Sequence, residues 1–179
     1  MSSLEIDLEQ MTILVADPQD GARRVISEML HALGARNVIA VGTLEQASER
    51  MATACVDALI CDYRLGGNRG AEFIRTLRSD RSHVCRAIPV LMTCGHTRLR
   101  DVRESRDCGA NLVLVKPYSV TALYDRLAWM AHRPRPFVSS GGYNGPSRRF
   151  QDFEEDQRPS RRRDDPPIDA PAGTRAVGG

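Results

Sequence analysis

Val56-Asp57-Ala58-Leu59-Ile60-Cys61-Asp62-Tyr63-Arg64-Leu65 decides the fold. An apolar run this short, bounded by turn residues, suits a strand buried on both faces, and such strands belong to parallel sheets covered by helices. The run ends in Asp62. Open α/β sheets place their chemistry at the carboxyl ends of the strands, so an acid there stands at the mouth of the sheet rather than in its core. From this strand alone Asp62 is either a reactive carboxylate or an acid that caps a loop, and the neighbouring segments must decide.

Working outward, residues 12–16 read as a second buried strand, ending in Asp17-Pro18. Ala22, Val25, Ile26, Met29, Leu30 and Leu33 then recur at helical spacing, and Gly34 follows as a stop. Residues 38–41 predict a strand, and Thr43 can cap a helix running through Leu44, Ala47 and Met51. After Asp62 comes a turn rich in glycine (Gly66, Gly67, Gly70), then a helix over 71–77 with Phe73, Ile74 and Leu77 inward. Pro89 opens a strand over 90–93, a helix spans about 97–107, and Gly109 ends it. A fifth strand covers 111–115, and Ser119 caps a last helix carrying Leu123, Leu127 and Trp129 toward Met130. Strands alternating with helices at these spacings predict an α/β fold, a doubly wound five-stranded parallel sheet. The loops after its strands gather Asp17, Asp62, Cys94 and Lys116 at one edge.

The 179 residues suffice for one good core and an appendage. No apolar run approaches the roughly 20 residues of a membrane span. The acidic first ten residues lack the basic and apolar regions of a signal peptide. The expectation is a cytoplasmic protein without membrane insertion. The five cysteines (Cys55, Cys61, Cys85, Cys94, Cys108) form an odd set without C-x-x-C spacing, which argues against a disulfide framework or a zinc site. Lys116 is the one lysine beside 24 arginines, and it sits at the end of a predicted strand. Basic and acidic residues balance over 1–130, so the formal charge of +2 resides in the C-terminal segment.

In order along the chain, Ile13-Leu14-Val15-Ala16-Asp17, Asp62, Pro89-Val90-Leu91-Met92, Gly109-Ala110 and Lys116-Pro117 resemble the receiver domain of two-component response regulators, the CheY-like family. The resemblance covers about 11–130 and implies a flavodoxin-like sheet of order 2-1-3-4-5. It further implies that Asp62 is the phosphoryl acceptor, that Lys116 is its cation, and that a magnesium ion is held by Asp17, Asp62 and the backbone carbonyl of Arg64. Three positions depart from the family pattern. Pro18 stands where a second acid normally ligates the metal, and proline offers no side-chain oxygen. Cys94 replaces a hydroxyl residue, and a thiol is a weak donor. Val113 replaces the aromatic residue that swings inward on activation. A weakened magnesium site and faint phosphorylation are therefore expected.

From Ala131 onward composition changes: seven of ten prolines lie there and apolar residues are few, which predicts a segment unable to fold alone. The expected division is a disordered 1–10, a receiver over 11–132 and an arginine- and proline-rich tail over 133–179, disordered without ligand. Within that tail Arg-x-x-Asp recurs at Arg149 with Asp152, Arg161 with Asp164 and Arg162 with Asp165. A guanidinium forks onto the O6 and N7 edge of guanine and onto phosphate, while a nearby carboxylate accepts from the opposite edge. A receiver followed by such a tail resembles the Cle group of CheY-like proteins. That resemblance implies cyclic di-GMP as ligand, held by Arg148, Arg149, Asp152, Arg161, Arg162, Asp164 and Asp165 with Tyr143 or Phe150 stacked beside a base. It also implies a flagellar motor switch protein as partner and recruitment to the flagellated pole.

An ordinary single-domain response regulator, phosphorylated on Asp62 by a histidine kinase, is the alternative. A nucleic-acid arm is disfavoured because Asp152, Glu154, Glu155 and Asp156 follow Arg148 and Arg149 and would repel a polyanion. An enzyme is disfavoured because no nucleophile with a base and no glycine-rich phosphate loop is visible.

Overall fold

The computed structural model describes residues 5–95 and 99–148. Five short strands, β1 (Thr12–Ala16), β2 (Asn37–Val41), β3 (Ala58–Asp62), β4 (Val90–Cys94) and β5 (Leu112–Val115), pair in the order β2-β1-β3-β4-β5. Every pairing among them is parallel, as the expected topology requires. Helices α1 (Asp20–Ala32), α2 (Leu44–Thr53), α3 (Gly70–Ser79) and α4 (Leu99–Asp107) make the four crossovers, and α5 (Val120–His132) follows β5. Residues 97 and 98, where the sequence starts the fourth helix, lie outside the described residues.

The pleat sorts the core. Successive strand residues point to opposite faces, so Leu14, Leu59, Cys61 and Met92 meet Ala47 and Met51 of α2 and Ile74 and Leu77 of α3. Ile13, Val15, Ile60 and Leu91 meet Ile26 and Leu30 of α1 and Leu123, Leu127 and Met130 of α5. β3 is buried along its whole length, as a strand covered on both faces must be. Two of the predicted caps form: Thr43 accepts from the Gln46 amide at 3.2 Å and Ser119 from the Ala122 amide at 3.1 Å.

Both ends of the domain depart from expectation. Residues 5–10 are anchored rather than loose: Leu8 is buried in the α1/α5 face, and the Ile6 amide donates to the Tyr124 hydroxyl at 3.2 Å. At the other end, order does not stop at residue 132. β6 (Phe137–Ser140) and β7 (Tyr143–Pro146) pair antiparallel around Gly141-Gly142, whose φ values of 58° and 80° give the left-handed geometry of a two-residue hairpin turn. The expected disorder of 133–179 is therefore corrected for 133–148.

Beneath this hairpin lies Arg78 at the end of α3, a residue only 1% exposed. No carboxylate faces it in an ion pair among the described residues. Its Nε donates to the Gly109 carbonyl at 3.0 Å, and its Nη2 donates to the Ile88 carbonyl at 2.8 Å and to Asn111 Oδ1 at 3.2 Å. Nη1 donates to the Arg86 carbonyl. Burial pulls Arg78 down to about 10, the mark of a cation taken out of water and compensated by oxygen dipoles instead. The Phe137 ring lies beneath Arg86 at 4.4 Å and Arg78 at 6.0 Å. Gly145 rests directly on Gly109: a Cβ on Gly145 would stand 2.8 Å from the Gly109 Cα.

Candidate functional site

β1 and β3 are neighbours and β5 lies two strands from β3, so the sheet order brings Asp17, Asp62 and Lys116 to one edge from three separate strand ends. The ladder continues past the strands: the Asp17 amide donates to the Val41 carbonyl at 3.1 Å, and the Lys116 amide to the Cys94 carbonyl at 2.8 Å. Gly70 sits against this edge, and a Cβ there would run into the Asp62 carbonyl oxygen. That close approach lets α3 begin immediately behind the acid.

Asp17 and Asp62 are 1% and 3% exposed. Lys116 reaches across the end of β4, its Nζ donating to Asp17 Oδ2 at 2.5 Å and to Asp62 Oδ2 at 2.6 Å. Burial pulls the ammonium downward, but the hydrogen bonds to both carboxylates and their charge outweigh it, so Lys116 is held above its ordinary value. The predicted pairing of Asp62 with Lys116 is present, and Asp17 is a full member of it.

The hydroxyl that sequence reasoning finds missing at Cys94 stands one residue earlier. Asp62 pairs with Thr93 across the β3/β4 ladder, and Thr93 Oγ1 donates to Asp62 Oδ2 at 3.3 Å. Cys94 contributes its backbone carbonyl to Lys116 and is itself buried. The signal for Thr93 lay in the register, which places residues opposite each other on one face. Val113 is half-buried against the α2/α3 side of the core. Tyr63, next to the acid, donates its hydroxyl to Glu104 of α4 at 2.9 Å. Tyr118 follows the cis Lys116–Pro117 bond; its hydroxyl is buried without a hydrogen-bond partner among the described residues, and burial pushes it up to about 12.

The oxygen donors do not suit a magnesium ion. Asp17 Oδ1 accepts the Gln19 amide at 2.8 Å, Asp62 Oδ1 accepts the Arg64 amide at 2.8 Å, and both Oδ2 atoms accept Lys116. The Arg64 carbonyl, expected as a ligand, instead accepts the Gly67 and Asn68 amides at 2.9 and 3.2 Å within the irregular turn after β3. Pro18 adds no oxygen. Magnesium demands near-octahedral oxygen coordination, and with Pro18 in place of an acid this edge offers one carboxylate fewer than the family pattern.

Of the residues expected to hold cyclic di-GMP, two are described. The Arg148 guanidinium lies 4.0 Å over the Tyr143 ring, forms an ion pair with Asp107 Oδ1 at 3.3 Å and donates to the Asp107 carbonyl at 3.2 Å. Arg149, Phe150, Asp152, Arg161, Arg162, Asp164 and Asp165 lie outside the described residues. Asp107 and Arg78 are contributors that sequence reasoning missed. Four of the five cysteines are buried, and burial pushes Cys61 well up and Cys108 up to about 11, away from the thiolate that reactivity needs.

Comparison with known proteins agrees with this architecture. The family model described as the response regulator receiver domain matches residues 13–128. The sensory/regulatory protein RpfC of Xanthomonas campestris is 30% identical over 132 residues, 74% of this chain, but the match spans only 18% of that protein's length. Chemotaxis protein CheY of Pseudomonas aeruginosa is 26% identical over 117 residues, covering 65% of this chain and 93% of the relative. The solved structure of chemotaxis response regulator CheY4 of Vibrio cholerae superposes with a TM-score of 0.58 at 26% identity, covering 65% of this chain and 95% of that one. With its sheet order, its Asp17–Lys116–Asp62 edge and the matched span of 116 residues, this chain belongs to the response regulator receiver domain family.

Proposed function

We propose that this chain is a receiver-type signalling protein that takes its input as cyclic di-GMP through the arginine-rich C-terminal segment, and passes it to a flagellar motor switch protein. The observation that carries this reading is the closed acid edge. Both Asp17 and Asp62 are spent on Lys116 and on backbone amides, and the second acid of the family pattern is Pro18. A receiver that lacks the second acid has a weakened phosphoryl input, which favours an input elsewhere. The other concentration of recognition chemistry is the run of Arg-x-x-Asp pairs from Arg149 to Asp165. Guanidinium and carboxylate at that spacing address the two edges of a guanine, and two such clamps match a ligand with two guanines. Similarity to the chemotaxis proteins of Pseudomonas aeruginosa and Vibrio cholerae supports a motility context.

Calorimetric titration of cyclic di-GMP into the intact chain tests this. Arg149→Ala and Asp152→Ala are each expected to weaken binding by about 1–3 kcal/mol, the scale of a bidentate base contact. Unchanged affinity in both removes the clamp.

A second reading, phosphorylation of Asp62 by a histidine kinase, is favoured by Thr93 and Lys116 both donating to Asp62 Oδ2, which is where a phosphoryl group would need positive charge and a hydroxyl. Intact-mass measurement after incubation with a small phosphodonor and magnesium separates the two. The expected result is little or no gain. Conversion of most of the protein would make Asp62 the input.

A further inference from the structure

We propose that the cleft between the β6–β7 hairpin and the C-terminal ends of α3 and α4 is a binding site for one guanine nucleotide unit. This rests on the cyclic di-GMP reading and adds a seat for one base on the folded domain. Arg75 and Ser79 come from α3, Asp107 from the end of α4, Tyr143 and Asn144 from the hairpin, and Arg148 from the chain just beyond it. Only the hairpin, which sequence alone reads as tail, brings these four segments together. The cleft holds about 340 Å³. Small-molecule sites run from roughly 300 to 1,000 Å³, so this one suits a single base with its phosphate rather than a larger cofactor.

The chemistry of the lining selects the ligand class. A guanidinium already stacked at 4.0 Å on an aromatic ring forms a two-layer platform to which a flat, electron-rich base adds a third layer. Arg148 is 44% exposed in its side chain, so its outer surface is reachable. Asp107 uses one carboxylate oxygen, Oδ1, for both Arg148 and Arg106, at 3.3 and 3.4 Å. Among the described residues Oδ2 takes no donor, and together with Oδ1 it can accept N1–H and N2–H of guanine, a donor pair that adenine does not present. Arg75 is held to Glu104 by one contact of 3.3 Å with 46% of its side chain exposed. An exposed pair of that kind is weak enough to be exchanged for a phosphate oxygen. Base stack, guanine-specific acceptor and phosphate cation thus converge on one cleft. Its position directly precedes Arg149, so a nucleotide seated here lies at the start of the arginine-rich segment.

The experiment is titration of cyclic di-GMP into the intact, isotope-labelled chain, with amide shifts read residue by residue and cyclic di-AMP as the control. Shifts at Ser79, Asp107, Asn144 and Arg148 are expected with the guanine ligand and not with the adenine one. Asp107→Asn, an exposed substitution, is expected to keep the melting temperature and lose about 5- to 150-fold in affinity. If cyclic di-GMP binds while those amides stay fixed and Asp107→Asn binds like wild type, the cleft is overturned and the tail clamp survives. Equal shifts with cyclic di-AMP overturn the guanine assignment. Absence of any cyclic di-GMP binding by the intact chain overturns the cleft together with the function proposed above.

Discussion

Lys116 holds two buried carboxylates that would otherwise face each other across the sheet edge, and its own position depends on both of them. Removing one member of a buried ion network leaves uncompensated charge, which costs about 3–5 kcal/mol. Lys116→Met is expected to lose that much in urea unfolding, and adding Asp62→Asn should return part of it, a coupling that a double-mutant cycle reads directly. The pH dependence follows from the sign of the shift. Lys116 is raised in the folded chain, so its contribution is fully present below the unfolded value of about 10.4 and is lost as pH rises through the folded one. Thermal melts above about pH 10 should fall more steeply for wild type than for an Asp17→Asn/Asp62→Asn variant, whose lysine lacks the carboxylates that raise it. Parallel slopes would mean that the ammonium contributes nothing specific.

At the scale of elements, the hairpin is fastened by backbone proximity as much as by side chains. Gly109 has φ +98° and lies against Gly145 and the Asn144 carbonyl, with a prospective Cβ 2.7 Å from that oxygen. Gly109→Ala combines left-handed strain with a clash, and an expected loss of about 1–3 kcal/mol follows. Amide exchange should accelerate across 137–146 while β1 and β3 keep their protection, since the two cores lie elsewhere. Sequence legibility divides along the same line. The five strands and their helices were readable because each carries its own period and cap, as Thr43 and Ser119 illustrate. The hairpin was not, because proline, glycine and serine there resemble a linker, and what orders them is distant in sequence: Arg78, Arg86 and Gly109. Ser140-Gly141-Gly142-Tyr143 was the available local signal for it. Thr93 was missed for a related reason, since pairing with Asp62 is a matter of register between strands and not of either strand's own pattern.

For the whole molecule, the hairpin changes where the signalling segment can be separated from the domain. A cut after residue 132 removes Phe137 from beneath Arg86 and Arg78, uncovers Gly109, and destroys the Arg75–Asp107–Tyr143 cleft, so lost ligand binding in that truncation would confound folding with recognition. The informative boundary is after Arg148, the last residue of the first compact unit. That fragment keeps both cores, the acid edge and the cleft, and is expected to melt within a few degrees of the intact chain, because both cores are built from residues within it. If the Arg-x-x-Asp pairs beyond residue 148 hold the second guanine, the fragment should retain the cleft's weak, single-site binding and lose the tighter phase seen with the full chain. Affinity differences between related complexes lie mostly in how fast they come apart, so the difference should be largest in the dissociation rate rather than in association. Stopped-flow measurement on both proteins reads this: equal dissociation rates would place the whole of recognition within residues 1–148 and leave the arginine-rich segment without a part in it.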